Sequence, residues 1–153
     1  MKPVIFIDFG GVYFTKANPA VPKLFSRKFG IPTKKIQQAL TGSNWDMHAI
    51  GKLDEKRYWK HVSDSLEISE KQTSQLRKTL YNYSTYNEGM MLLVRKLRKK
   101  YRVAALSSII IGWVEALEKK YKISEHFHEH HYIYDHGVDK PDAKFFLSTA
   151  KKM

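Results

Sequence analysis

Residues 4–14, VIFIDFGGVYF, constrain the fold more than any other stretch of this chain. Val4 to Ile7 plus Phe9 suit a buried β-strand. Yet Asp8 sits among them, and Gly10 and Gly11 follow at once. Asp and Gly are ordinary turn residues, so the carboxylate alone proves little. A carboxylate at a strand end, followed by backbone free to turn, is also what a ligand at a sheet rim would need.

Beyond Phe14 no strand-like alternation occurs until residue 89. "NPAVPKLFSRKFG" offers Asn18 as N-cap, Pro19 at the first helical position and Gly30 as a stop. "TKKIQQALTG" starts on Thr33 and stops at Gly42. Asp54 opens "EKRYWKHVSDSL", with Trp59, Val62 and Leu66 on one face. "SEKQ" (Ser69 to Gln72) is a capping box leading to Leu76, Leu80 and Tyr83. From Gly89 the pattern changes: a helix over 90–100, a strand "RVAALSS", a helix over 110–121, a strand-like "HHYIYD" and a helix from Pro141. Strand and helix alternating at this pace predict a parallel sheet with covering helices. The fold class is therefore α/β, a Rossmann-like core at 1–14 and 89–153 with an all-helical insertion at 15–88.

Ligands of open α/β sheets bind at the carboxyl ends of the strands. Here those ends supply Asp8, then Ser107 and Ser108, then Lys140 through "YDHGVDKPD". A carboxylate, hydroxyls and an ammonium on one rim suit a phosphate ester. The carboxylate attacks phosphorus, and the other groups hold the non-bridging oxygens. Backbone N–H groups after the glycines complete the cradle. Each residue has a plainer role: Asp8 in its turn, a serine capping the next helix, Lys140 paired with Asp139 or Asp142. A lysine at a helix N-terminus, however, faces the unfavourable end of the dipole, which points to an anion beside it.

"FIDFGGVYF", "VAALSS" and "GVDKPDAKFF" resemble the first three motifs of the haloacid dehalogenase-like (HAD) hydrolase superfamily. The helical insertion is similar to that family's C1-type cap, and Trp45 to Trp59 resembles the cap of its small sugar-phosphate phosphatases. The resemblance implies Mg²⁺-dependent phosphomonoester hydrolysis with Asp8 as nucleophile. It implies phosphate binding by Ser107, Ser108 and Gly11, stabilisation by Lys140, and Mg²⁺ on Asp8 and the Gly10 carbonyl. Substrate contacts are then expected from Trp45, His48 and nearby basic residues. Two departures stand out. The family's usual second Asp, the general acid, is Gly10 here, although some branches carry glycine at that place. Its fourth motif, a strand ending in acids, would follow the helix in which the sequence stops at Met153. The core is therefore expected to be incomplete at its C-terminus, as in a truncated product of a longer gene, with the first strand's edge open to dimerisation.

Charge and composition set the other limits. The chain has 153 residues, a net charge of +12 and no cysteine, so disulfides and thiolate metal sites are excluded. No apolar run reaches the ~20 residues of a membrane helix, and Met1-Lys2-Pro3 leads directly into the first strand, so a cytoplasmic protein without a signal peptide is expected. The basic excess favours anionic partners, but 13 basic and 7 acidic residues at 15–88 against 14 and 8 elsewhere give an even spread. That makes a small phosphorylated substrate the first expectation. A catalytically impaired HAD-fold module binding nucleic acid or another polyanion is the alternative. The densest run, "RKLRKKYR", reads as the solvated side of an amphipathic helix carrying Val94 and Leu97. "EHFHEHHYIYDH" would place His126, His128 and His130 on one side if extended, where imidazoles can bind a transition metal. A dinucleotide site is disfavoured, because G-x-G-x-x-G is absent.

Overall fold

The computed structural model describes residues 3–15, 20–138, 140 and 142–151. The opening apolar run forms β1 (Val4–Ile7), and "RVAALS" forms β2 (Arg102–Ser107). They pair in parallel, Val4 opposite Arg102 and Ile7 opposite Ala105. β2 pairs in parallel with β3 (Glu129–Tyr132), Ser107 opposite Tyr132. The order β1-β2-β3 brings the three carboxyl ends to one rim and leaves β1 as a sheet edge among the described residues.

Parallel neighbours need a crossover, and the two crossovers differ greatly in size. Between β1 and β2 lie α1 (Ala20–Phe29), α2 (Thr33–Leu40), α3 (Ser43–Ala49), α4 (Glu55–Leu66), α5 (Glu70–Tyr83) and α6 (Glu88–Leu97). Between β2 and β3 lie only α7 (Ile111–Tyr121) and a 3-10 turn at Ile123–Glu125. After β3 come the single turn α8 (Ile133–His136) and then α9 (Ala143–Lys151).

Local signals set the helix ends. The Asp54 carboxylate accepts from the Arg57 N–H to open α4, and Ser69 and Gln72 make both halves of the capping box of α5. Trp59, Val62 and Leu66 are buried on α4 as their spacing predicts. Asn18, Pro19 and Pro141 lie outside the described residues.

Four expectations need correction. Helix α3 had no counterpart in the sequence reading; Gly42, at φ 85°, reverses the chain directly from α2 into it. Tyr83 is 37% exposed at the end of α5, and Tyr81 is buried in its place, its hydroxyl joined to Trp59 and Glu55. The "HHYIYD" segment is strand only to Tyr132; Ile133 then swings into the helical core, and Gly137 at φ 65° ends α8. Phe6 is 39% exposed because β1 is an edge strand and Phe6 faces away from the side that buries Ile7.

Two apolar cores flank the sheet. One joins Val21, Ile36, Tyr58, Val62 and Leu76 of the helical layer to Leu106, Ile110, Ile133 and Phe145. The other packs Ile7, Val103, Ala105 and Tyr132 against Val94 of α6 and Leu117 of α7. Exposed Arg95 and Lys96 stand on the outer face of α6 and buried Val94 on its inner face. No helix among the described residues is long and apolar enough to cross a membrane.

Candidate active site

Asp8 is the first residue beyond β1, and a tight reversal follows it. The Phe9 carbonyl accepts from the N–H groups of Val12 and Phe14, and the Asp8 carbonyl accepts from Tyr13 at 3.2 Å. Gly11 makes this possible with φ 79°. From below, the Tyr13 hydroxyl shares a 2.8 Å hydrogen bond with His126 Nδ1. Burial pushes the Tyr13 phenol up to about 12, against the pull of Arg95 and Arg98. A neutral, buried anchor thus pins the turn that presents the carboxylate.

The Phe9 N–H donates to Asp8 Oδ1 at 2.8 Å, and Lys140 Nζ donates to the same oxygen at 2.7 Å. No partner of Oδ2 is seen among the described residues. Asp8, Gly10, Ser107, Ser108 and Lys140 line one cleft of about 210 Å³. Ser107 is buried at the end of β2. Neither serine caps α7, whose N-cap is Ile110.

Gly11 stands apart from this wall, and its N–H is taken by the Phe14 carbonyl at 2.7 Å. His48, expected near the substrate, is buried in the helical core instead. Its Nδ1 lies 2.8 Å from the Leu53 carbonyl and its ring stacks on Tyr58. Trp45 meets the same Tyr58 edge-on, and neither residue lines the cleft. His126, His128 and His130 do not converge either. His126 meets Tyr13, His128 Nδ1 accepts from the Val103 N–H, and His130 Nε2 meets the Ile123 carbonyl. No cluster of three or more metal-ligating side chains occurs among the described residues.

The rest of the described wall, Phe9, Phe14, Ser84, Ile109, Trp113 and Leu117, was not expected from the sequence. Residues 113 and 117 of α7 recur at four-residue spacing, which marks one helix face, and Ile109 lies two residues before that helix. That signal alone does not separate a core stripe from a cleft wall.

No protein-family model matches the sequence, and no curated protein matches it. Several solved structures are similar to it in shape. A HAD family enzyme from Bacteroides thetaiotaomicron, in complex with magnesium and inorganic phosphate, superposes with TM-score 0.81 at 18% identity, covering 99% of this chain and 79% of that one. The fold is that of the HAD-like hydrolases. A HAD-like family hydrolase from Porphyromonas gingivalis gives TM-score 0.73 at 17% identity, covering 99% and 76% of the two chains. L-2-haloacid dehalogenase from Xanthobacter autotrophicus, with chloropropionic acid covalently bound, gives 0.68 at 15%, covering 100% and 65%. In terms of the HAD fold, the three-stranded sheet with α6 and α7 against it forms the Rossmann-like core, and the helices α1 to α5 form the helical cap.

Proposed function

We propose that the protein releases phosphate from a small phosphomonoester, with Mg²⁺, through an aspartyl-phosphate on Asp8. The observation that carries this is the 2.7 Å bond from Lys140 to Asp8 Oδ1, with Ser107 and Ser108 in the same wall. The Phe9 N–H and Lys140 fix Oδ1, which orients Oδ2 as the attacking atom. Oδ2 forms the bond to phosphorus while the bond to the leaving oxygen breaks, and that oxygen departs with the electron pair. The two serine hydroxyls donate to non-bridging oxygens, and the Lys140 ammonium offsets their charge. Water then attacks the phosphorus of the acyl phosphate, which frees phosphate and returns the Asp8 carboxylate.

Asp8 and the Gly10 carbonyl are the residues that would hold Mg²⁺. One carboxylate and one carbonyl fit an ion that keeps several waters and takes substrate phosphate oxygens. When bound, it neutralises charge on the phosphoryl group. The complex of the Bacteroides protein with magnesium and inorganic phosphate supports this pairing of ligands. The proposed division is 1–14 and 89–153 for the core and 15–88 for a C1-type cap, as in the sugar-phosphate phosphatase branch.

Phosphate release from a generic phosphomonoester, with Mg²⁺ or with EDTA, tests the proposal against an Asp8→Asn variant. Turnover is expected to need both, and the variant to lose roughly 10⁴-fold or more. Equal rates for the two proteins would overturn it.

A further inference from the structure

Two properties of the cleft bear on the leaving group of the ester. The first is its lining. Asp8, Lys140, Ser107 and Ser108 form one polar part, whereas Phe9, Phe14, Ile109, Trp113 and Leu117 supply an apolar part, with Ser84 and Gly10 completing the described lining. At about 210 Å³ the cleft is smaller than the roughly 300–1,000 Å³ usual for larger ligands. A dry apolar cavity of about 150 Å³ is enough for a benzene ring. The space therefore suits a phosphoryl group and a single ring, not a nucleotide. An apolar wall also leaves the hydroxyls of a polyol without partners, which is costly on binding. Trp113 adds a flat surface, its indole stacked on Tyr81 at 6.1 Å between centroids.

The second property concerns protons. Asp8 and Lys140 are the titratable side chains of the wall among the described residues, and Lys140 is bonded to Asp8. Asp8 is spent as the nucleophile. Among the described residues no other carboxyl or imidazole lines the wall to hand a proton to a departing alkoxide, and Gly10 offers no side chain for it. A leaving oxygen that is stable as an anion needs no such donor. Phenolic oxygens, with pKa about 10, meet that condition far better than alcohols.

Resting on the phosphomonoester proposal above, we infer that the preferred substrate is an aryl phosphate, a monoester of a phenol or hydroxylated heteroaromatic of one ring. The phosphorus–oxygen bond breaks to give the aryl oxide, which takes its proton from water after departure.

Two measurements separate this inference from the hydrolase proposal. In the first, kcat/KM is compared for phenyl phosphate and glycerol 2-phosphate. Phenyl phosphate is expected to lead by about 100-fold or more, because acid catalysis withheld from the alcohol ester is worth ~10²–10⁴. Equal values, or a lead for glycerol 2-phosphate, would overturn the inference and leave the hydrolase standing. In the second, the Asp8→Asn protein is titrated with phenylphosphonate, 2-hydroxyethylphosphonate and inorganic phosphate. Phenylphosphonate is expected to bind at least about 10-fold more tightly than the others, and Trp113→Leu to remove most of that lead. Binding in this order without any turnover in the parent protein would sink the hydrolase proposal but keep the ligand class. Phenylphosphonate no tighter than inorganic phosphate would sink the ligand class.

Discussion

Helices α4 and α5 of the cap open on residues that close their own first turns, Asp54 and Ser69. Helix α7 of the core opens on Ile110, whose side chain makes no cap bond, just after the two serines of the cleft. In these two helices a first-turn donor is satisfied where it arises, although α2 and α3 open on Pro32 and Gly42 without a side-chain cap. At α7 the N-terminal turn, with its partial positive charge, is left beside the wall that carries Asp8 and Lys140. The Glu55 carboxylate of the cap comes against α7 at Gly112, where a Cβ would lie 2.7 Å from Glu55 Oε1. The cap thus closes the ends of α4 and α5 locally and shares an apolar core with Leu106, Ile110 and Ile133, whereas the polar side chains of the cleft stand at the open ends of the sheet.

The sharpest way to break this contrast is Gly10→Asp. Gly10 lines the cleft and a Cβ there meets nothing within 4 Å, so the substitution begins without steric cost. Turnover of an alkyl phosphate is expected to rise by ~10²–10⁴ through general acid catalysis, with aryl phosphate turnover changed far less and stability within about 0.5 kcal/mol. Steady-state rates on the two esters check it; an unchanged alkyl rate would mean that leaving-group protonation is not what limits this site.

On the cap side, Leu76→Ala removes a fully buried side chain and is expected to cost about 2–5 kcal/mol in urea unfolding. Leu76 shares its core with Leu106 and Ile133, so cap and core should still unfold in one transition. Two separate transitions would show the regions to be energetically independent. Ser69→Ala is a milder probe: loss of the capping box is expected to cost about 1 kcal/mol and leave turnover unchanged.

The smallest effect expected is one of pH, and it falls on the core. Burial, then Arg95 and Arg98, hold His126 below the ordinary histidine value of 6.5, against the opposing pull of Glu125 and Glu118. Burial also holds His130 below it, with His131 and Arg98 adding to the shift and the Ile123 carbonyl and Glu118 opposing it. The unfolded chain therefore takes up these protons first as pH falls. Stability is expected to be flat above pH about 6.5 and to decline below it. A urea series from pH 7.5 to 5.5 checks this, with a shallower decline expected in a His126→Gln, His130→Gln variant.

The same contrast explains what could be read from the residues alone. Asp8, Ser107 and Lys140 were legible because a parallel sheet gathers its strand ends, and each end carried a local mark. The capping box was legible because all its partners lie within four residues. Phe14, Ser84 and Trp113 were not, since their joint presence in one wall depends on how three distant segments pack. His48 misled for the same reason: its spacing beside Trp45 says nothing of whether the ring faces the cleft or Tyr58. Phe6 looked buried because an edge strand and a central strand can share one apolar pattern.

The long crossover between β1 and β2 has a consequence in time. Val4 pairs with Arg102, so roughly a hundred residues must be synthesised before the first strand meets its partner, on the order of 5–20 s at usual rates of elongation. The cap helices find one another earlier, while the apolar opening strand waits unpaired. Contacts of such separation are slow to form. Because Asp8 and Ser107 face one cleft only when that pairing is made, no chain synthesised short of β2 can bring the two together.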